Sequence, residues 1–437
     1  MSARMSREDE DHPRDRAGHH GCGDRTGVRR MSFPARGHIG AEELAAVTAL
    51  LSEAIETGNA PGYNGREEAA YCREFSAYLM GADGGGYTDA VSSGTAGIYA
   101  ALRALDLEPF SEVIVGAVTD PGGLMPIPLL NLVPMIADTA PGSFNTGPEQ
   151  VLDLLSPRTS AIIVPHIAGE PADIAGIVEL ARSRGIPVIE DCSQAHGARL
   201  HGRLVGTFGD IGVFSTMGGK HHSSGAQGGL VFTRKETLYH AIRRASDRGK
   251  PFFLPEGSTN VMASLNLNLN DLAATIGRVQ LHKLPGFVAR RRAIVDALVE
   301  GLQDLQCVAP PALVAGTEPS YWFLRLRFRP DPTVTTDKTA FCEALMAEGL
   351  PVMADYSAAL PHTMDWFVHR RVFGRSGYPW TSPDYKGDPH RTFPCPNAHA
   401  AIADHFNLMI HEAWNDQDVA DALAIFATVE ERHRRST

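Results

Sequence analysis

Six short apolar runs punctuate the middle of this chain, at 112–116, 133–138, 161–164, 187–189, 212–214 and 229–232. Most of their positions are apolar, without the strict alternation of a half-exposed strand. Strands of that kind are buried on both faces, as in a parallel sheet covered by helices on either side. The stretches between them include helical segments at 148–155 and 174–184. The pattern predicts an α/β fold with a mostly parallel sheet. Upstream, Leu44, Val47, Leu50, Leu51 and Ile55 recur at helical spacing, and Pro61-Gly62-Tyr63-Asn64-Gly65 reads as a turn. A second helix carries Phe75, Tyr78 and Leu79 on one side. Downstream, a helix from Asp271 towards Val299 is expected to break at Pro285. Its Arg290-Arg291-Arg292 run reads as a solvated face. A strand at 321–328 and helices at 337–348 and 416–431 make the C-terminal part α+β.

With 437 residues the chain has room for two domains, and we expect a large domain over 36–290 and a small one over 291–437. Residues 1–35 read as a disordered tail of mixed charge, poor in apolar side chains. His19, His20 and Cys22 fall in that tail and are read as part of it, so no metal site is expected, and Met31 is an alternative start. The net charge of −11, with no basic stripe interleaved with aromatics, argues against a nucleic-acid partner. Six dispersed cysteines without a CxxC pair give neither a disulfide framework nor a zinc site. No apolar stretch is long enough to span a bilayer and no signal-peptide core is present, which predicts a cytoplasmic protein without a membrane partner. No GxGxxG opens a helix after a strand, and no Walker lysine motif occurs.

Lys220 concentrates the chemistry. The strand at 187–189 runs into Glu190-Asp191-Cys192-Ser193-Gln194-Ala195-His196-Gly197, and Ser215 stands five residues before Lys220. The glycine-rich Gly225-Ala226-Gln227-Gly228-Gly229 follows. A lysine can hold an aldehyde cofactor as a Schiff base and later shuttle a substrate proton. A carboxylate at the C-terminal end of a parallel strand can keep a pyridine nitrogen protonated. Ser215, glycine-rich backbone and the helix opened by Ser92-Ser93-Gly94-Thr95 offer short donors to a phosphate. These residue types suit pyridoxal phosphate.

Together these segments resemble the DegT/DnrJ/EryC1/StrS family of sugar aminotransferases, members of the fold type I pyridoxal phosphate enzymes. The resemblance rests on Val91-Ser92-Ser93-Gly94-Thr95-Ala96-Gly97, Val164-Pro165-His166, the 190–197 and 214–220 stretches, Asn266-Leu267-Asn268-Leu269-Asn270-Asp271-Leu272 and Gln280-Leu281. It runs from Gly37 onward and weakens between Pro361 and Pro396. It implies an aspartate aminotransferase-like fold and makes Lys220 the cofactor-bearing base, with Asp191 against the pyridine nitrogen. Gln194 would meet the phenolic oxygen, while Ser93, Gly94, Thr95 and Ser215 hold the phosphate. Asn266 would reach the neighbouring subunit's cofactor, which implies a homodimer with shared sites. His166 and His196 also match family positions, with a structural role as the alternative.

The chain departs from the family pattern at two positions. Asp120 stands where relatives carry an aromatic residue stacked over the cofactor ring. Either another side chain covers the ring, or Asp120 contacts substrate, or the reaction differs from ordinary transamination. Asn268 stands where many relatives have arginine, which weakens any grip on a nucleotide diphosphate. The aromatic-rich stretch with Trp366, Phe367, Tyr378, Trp380 and Tyr385 is expected to be an ordered loop near the site entrance. The expected activity is transfer of nitrogen from glutamate or glutamine to a ketosugar or ketocyclitol in secondary-metabolite or glycan biosynthesis. The alternatives are a non-transaminating pyridoxal phosphate reaction, for which His221 and His222 beside Lys220 give a reason, and a non-catalytic regulatory relative.

Overall fold

The apolar runs pair into one sheet, together with a strand that the sequence pattern hides. In the computed structural model, which describes residues 32–82 and 84–434, its strands are β1 (Tyr87–Val91), β2 (Glu112–Gly116), β3 (Val133–Ala137), β4 (Thr159–Pro165), β5 (Val188–Asp191), β6 (Ile211–Ser215) and β7 (Gly229–Thr233). They lie in the order β1-β7-β6-β5-β4-β2-β3. From β6 to β3 every pairing is parallel, and β7 runs antiparallel to both β6 and β1. Strand β1 escapes the apolar pattern because Thr88 and Asp89 stand in its middle. Both are buried, and Asp89 is paired with Arg243 and accepts from Ser246 Oγ at 2.6 Å. A charge inside a sheet is tolerated when it is paired in this way.

The helix expected to break at Pro285 does not. It runs unbroken over Asp271–Gly301. Pro285 removes the donor that the Leu281 carbonyl would otherwise receive. Packing offsets that loss: Leu281, Leu284 and Val288 sit in one hydrophobic cluster with Phe75 and Phe214, while Ile294, Val295 and Leu298 sit in another with Phe341 and Trp414. The division placed at 290 therefore falls inside a helix that serves both cores. The second cluster covers an antiparallel sheet formed by Val308–Ala309, Leu324–Phe328, His405–Leu408 and Val352–Met353.

Three further expectations are corrected. The arginine run is not a solvated face. Arg291 is 2% exposed, pairs with Glu412 at 2.7 Å and donates to the Tyr321 carbonyl at 2.8 Å. Its neighbours Arg290 and Arg292 bond the Trp414 and Pro319 carbonyls. Residues 32–35 are not part of a loose tail, since Phe33 stacks on Trp414 with centroids 4.5 Å apart. The Met31 start and the His19, His20 and Cys22 group lie outside the described residues. On the Ala41–Thr57 helix, Leu44, Leu51 and Ile55 point outward, and Glu43 is buried instead, held by Gln280 and Lys283. No described helix is long and apolar enough to cross a membrane.

Candidate active site

A cavity of about 260 Å³ opens beyond the C-terminal ends of β4, β5 and β6, where open parallel sheets bind ligands. Lys220, Asp191, Gln194, Ser215, Ser93, Gly94, Thr95 and Asp120 all line it. Asn266 does not: it is exposed, and its Oδ1 accepts from Asn268 Nδ2 at 2.6 Å. A larger cavity of about 510 Å³ lies between the Arg66–Met80 helix and β1, but it contains no lysine and shares no lining residue with this one.

Lys220 is 7% exposed, and its indole neighbour Trp322 lies 3.7 Å from Nζ. Burial lowers its ammonium to about 8, against the opposing pull of the Asp191 and Asp120 carboxylates. An amine of that pKa is far more often neutral near physiological pH than an exposed lysine, as a nucleophile requires. The Trp322 Nε1–H donates to the Gly219 carbonyl at 3.0 Å, which fixes the ring over the lysine. Asp191 ends β5, and its Oδ1 accepts from the Ser193 N–H at 3.0 Å. Burial raises its carboxyl above the usual range, a penalty that a cation beside it would remove.

The remaining groups fit a phosphorylated pyridine. Ser93 caps the Gly94–Ala104 helix by accepting from the Ala96 N–H at 3.0 Å. The first N–H groups of that helix have no intrahelical acceptor and meet Ser215 across the cavity, an anion cradle at a helix N-terminus. A Cβ added at Gly94 would lie 2.9 Å from Ser215 Cβ, so the cradle needs bare backbone there. Thr119 Oγ1 is buried in the cavity wall without a partner. Gln194 Oε1 accepts from the Ala168 N–H at 2.9 Å, and its Nε2 donates to Tyr356 Oη at 3.3 Å. The residues present therefore match the donors and charges that pyridoxal phosphate needs.

Other histidines and the aromatic loop are placed differently from expectation. His221 and His222 do not face the cavity. They are fully buried behind Lys220, close to the Ser320 carbonyl and to Gly277 and Tyr71 respectively. His196 packs beside them with Nε2 on the Ser215 carbonyl at 2.8 Å. His166 lies in the cavity wall, accepting from the Ala172 N–H at 3.0 Å and meeting Glu190 at 3.2 Å. Cys192 joins His166 and Glu190 in a compact group, but Glu190 already accepts from the Gly206, Phe208 and Gly209 N–H groups. The aromatic loop is ordered, but none of its aromatic residues lines the cavity. Trp380, Phe367 and Tyr385 pack inward, with Tyr385 Oη on Glu112 at 3.0 Å, at the opposite end of β2 from the site. Burial, not solvent, accounts for so many aromatic rings in one stretch.

Thr119, Ser193, Trp322 and Tyr356 were not singled out by the sequence reading. Ser193 lay within a segment already quoted, but Trp322 and Tyr356 arrive from the C-terminal part with no local motif to mark them.

The architecture, the buried lysine and the carboxylate at the end of β5 define a fold type I pyridoxal phosphate enzyme. Comparison with known proteins then gives the family. The chain belongs to the DegT/DnrJ/EryC1/StrS aminotransferase family, whose model matches residues 38–426, and it is a pyridoxal phosphate-dependent aminotransferase. It is 31% identical over 309 residues to a Streptoalloteichus tenebrarius protein named as an L-glutamine:3-amino-2,3-dideoxy-scyllo-inosose aminotransferase, covering 69% of this chain and 72% of that one. It is 33% identical over 219 residues to GDP-perosamine synthase of Escherichia coli O157:H7, covering 50% of this chain and 59% of that one. Among solved structures, the aminotransferase TlmJ of Streptoalloteichus hindustanus superposes with a TM-score of 0.74 at 27% identity, over 90% of this chain and 97% of that one.

Proposed function

We propose that the chain moves an amino group from glutamine or glutamate to the carbonyl carbon of a ketosugar or ketocyclitol. The observation that carries this reading is the meeting of Lys220, Asp191, Ser215 and the Gly94 helix terminus around one cavity. When bound, pyridoxal phosphate supplies an aldehyde that takes up the amine nitrogen and a ring that accepts the electron pair released with the proton. Lys220 holds the cofactor at rest and carries the proton on and off the substrate carbon. Asp191 keeps the ring nitrogen protonated, so that the ring draws electrons. Ser93, Gly94, Thr95 and Ser215 hold the phosphate, and Gln194 faces the phenolic oxygen. Relatives named for a cyclitol and for a nucleotide sugar support a polyhydroxylated ketone as acceptor.

The working unit in this reading is a cytoplasmic homodimer, in which Asn266 of each subunit serves the other's site. The outward Leu44, Leu51 and Ile55 stripe supports a second copy as its cover. The test is the absorbance of the cofactor-loaded protein before and after L-glutamine, then L-glutamate. Conversion to the aminated cofactor by either one supports the reading, and Lys220→Ala must abolish steady-state turnover. Retained turnover in that variant, or water loss without nitrogen transfer, would remove it.

A further inference from the structure

The ring that serves Lys220 does not come from position 120. Asp120 carries none, and behind it Gly122 and Gly123 bring bare backbone to that wall. A Cβ at Gly123 would lie 2.6 Å from Thr119 Oγ1 and 3.3 Å from Asp191 Oδ2. A peptide plane, rather than a side-chain ring, therefore lies along this wall of the cofactor site. The aromatic side chain set against the lysine comes from the C-terminal part of the chain instead. Trp322 presents its indole face to Lys220, with Nζ 3.7 Å from the ring centroid.

That face is held at three points. The Trp322 backbone N–H donates to the Ala168 carbonyl at 2.9 Å, and the Trp322 carbonyl accepts from Arg291 Nη1 at 3.2 Å. The indole N–H donates to the Gly219 carbonyl at 3.0 Å, and that carbonyl belongs to the peptide bond leading into Lys220. Ring and lysine backbone are therefore clipped together, and the long side chain has a fixed surface to lie on. All of these contacts are made within one chain, so they do not depend on what a second copy adds to the cavity. The titratable groups around the amine are Asp191 and Asp120, which attract its charge without a hydrogen bond to it, and buried His196, whose protonation it opposes. Arg36 reaches the Lys220 main chain, not its amine.

A lysine that carries a cofactor needs such a surface. When the donor's nitrogen bonds to the aldehyde carbon, the lysine nitrogen leaves that carbon and takes up the two protons of the donor amine. The freed amine is then buried, where its charged form is disfavoured. An indole face offsets part of that penalty, since it attracts a cation more strongly than the other aromatic faces do. We propose that Trp322 is a positioning residue, whose indole holds the Lys220 ammonium whenever the lysine is off the cofactor. The proton and the amine then stay beside the carbon they serve. This rests on Lys220 as the cofactor-bearing residue and adds how it is kept in place between one attachment and the next.

The cofactor-free protein gives the test, because its lysine is free. The rate at which pyridoxal phosphate is captured has its pH midpoint at the lysine's own titration, about 8 in the native chain. Trp322→Leu should lower that midpoint by about one pH unit, since loss of the cation–π contact favours the neutral amine. Trp322→Phe should restore part of the shift. A packing role alone would change stability, or the rate at every pH, and leave the midpoint where it is. Tryptophan emission gives a second reading that needs no substituted indole. It should titrate near the same pH in native protein, both cofactor-free and loaded with pyridoxamine phosphate, and should not do so in Lys220→Ala. An unmoved midpoint in Trp322→Leu, a titration that survives in Lys220→Ala, or its absence from the pyridoxamine phosphate form would overturn the proposal alone. Borohydride reduction of the loaded protein keeps the two readings apart. If it fixes pyridoxal phosphate to no residue, or to one other than Lys220, the assignment of Lys220 falls with the proposal.

Discussion

The Arg36 guanidinium donates to the Lys220 carbonyl at 2.8 Å and to the His221 carbonyl at 3.2 Å. The same side chain pairs with Glu412 at 2.8 Å, and Glu412 in turn holds Arg291, which donates to the carbonyls of Tyr321 and Trp322. One network therefore steadies both the lysine backbone and the indole lying over the lysine amine.

Replacing Arg36 with Gln should lower kcat about tenfold and leave the KM for the amino donor nearly unchanged, because the lysine loses its fixed position and no substrate contact is touched. Visible circular dichroism of the loaded protein should weaken, and Arg36→Lys should restore part of both signals. Stability should fall by about 2 kcal/mol for the lost charged hydrogen bonds. A loss of stability with kcat and dichroism intact would leave Arg36 with a structural role alone.

Cofactor loading should depend on pH through Lys220. Burial lowers its ammonium to about 8, and the neutral amine is the form that attacks the aldehyde. Below that value each pH unit should raise the loading rate about tenfold, and above it the rate should level off. The sign follows from proton loss: deprotonation makes the reactive form, so the rate climbs with pH. Stopped-flow absorbance after mixing cofactor-free protein with pyridoxal phosphate measures it. A plateau only near pH 10 would show that the lysine is not desolvated.

Gly123→Ala tests the bare wall. Its methyl group would lie 2.6 Å from Thr119 Oγ1 and close to Asp191. Gly123 lies in a short helical turn and has no positive φ, so the backbone accepts alanine. The expected outcome is a folded protein whose affinity for pyridoxal phosphate is about tenfold or more weaker, read by fluorescence titration. Unchanged affinity would show that the cofactor ring does not lie against this peptide.

Pro285→Ala should stabilise the protein. Pro285 is exposed, and alanine restores a hydrogen bond to the Leu281 carbonyl. The gain is about 1–2 kcal/mol, less than the full helix penalty of proline because alanine frees the unfolded chain. Thermal unfolding measures it, and a lower midpoint would mean that the ring's packing outweighs the missing bond.

Much of the site was legible because its chemistry is local. Asp191 and Ser215 end the neighbouring strands β5 and β6 and Lys220 lies in the turn that follows, and the Ser93 cap announces its helix by side-chain type. The parallel strands were legible because burial on both faces leaves little room for polar residues. Strand β1 was not, since Asp89 reads as a loop residue until Arg243, far along the chain, is known to pair with it. Arg291 was misread for the same reason: three consecutive arginines look solvated unless the carbonyls and carboxylate that meet them are known. The aromatic loop shows a different limit. Composition revealed that it is ordered, yet cannot distinguish rings that face a ligand from rings that face each other.

The unbroken Asp271–Gly301 helix has a mechanical consequence. At 31 residues it is a rod of about 46 Å, with one end anchored in each hydrophobic cluster. A rod without a joint transmits rotation instead of absorbing it. Any swing of the C-terminal sheet must therefore turn Arg291 with it, and through Glu412 and Arg36 that torque reaches the backbone of Lys220.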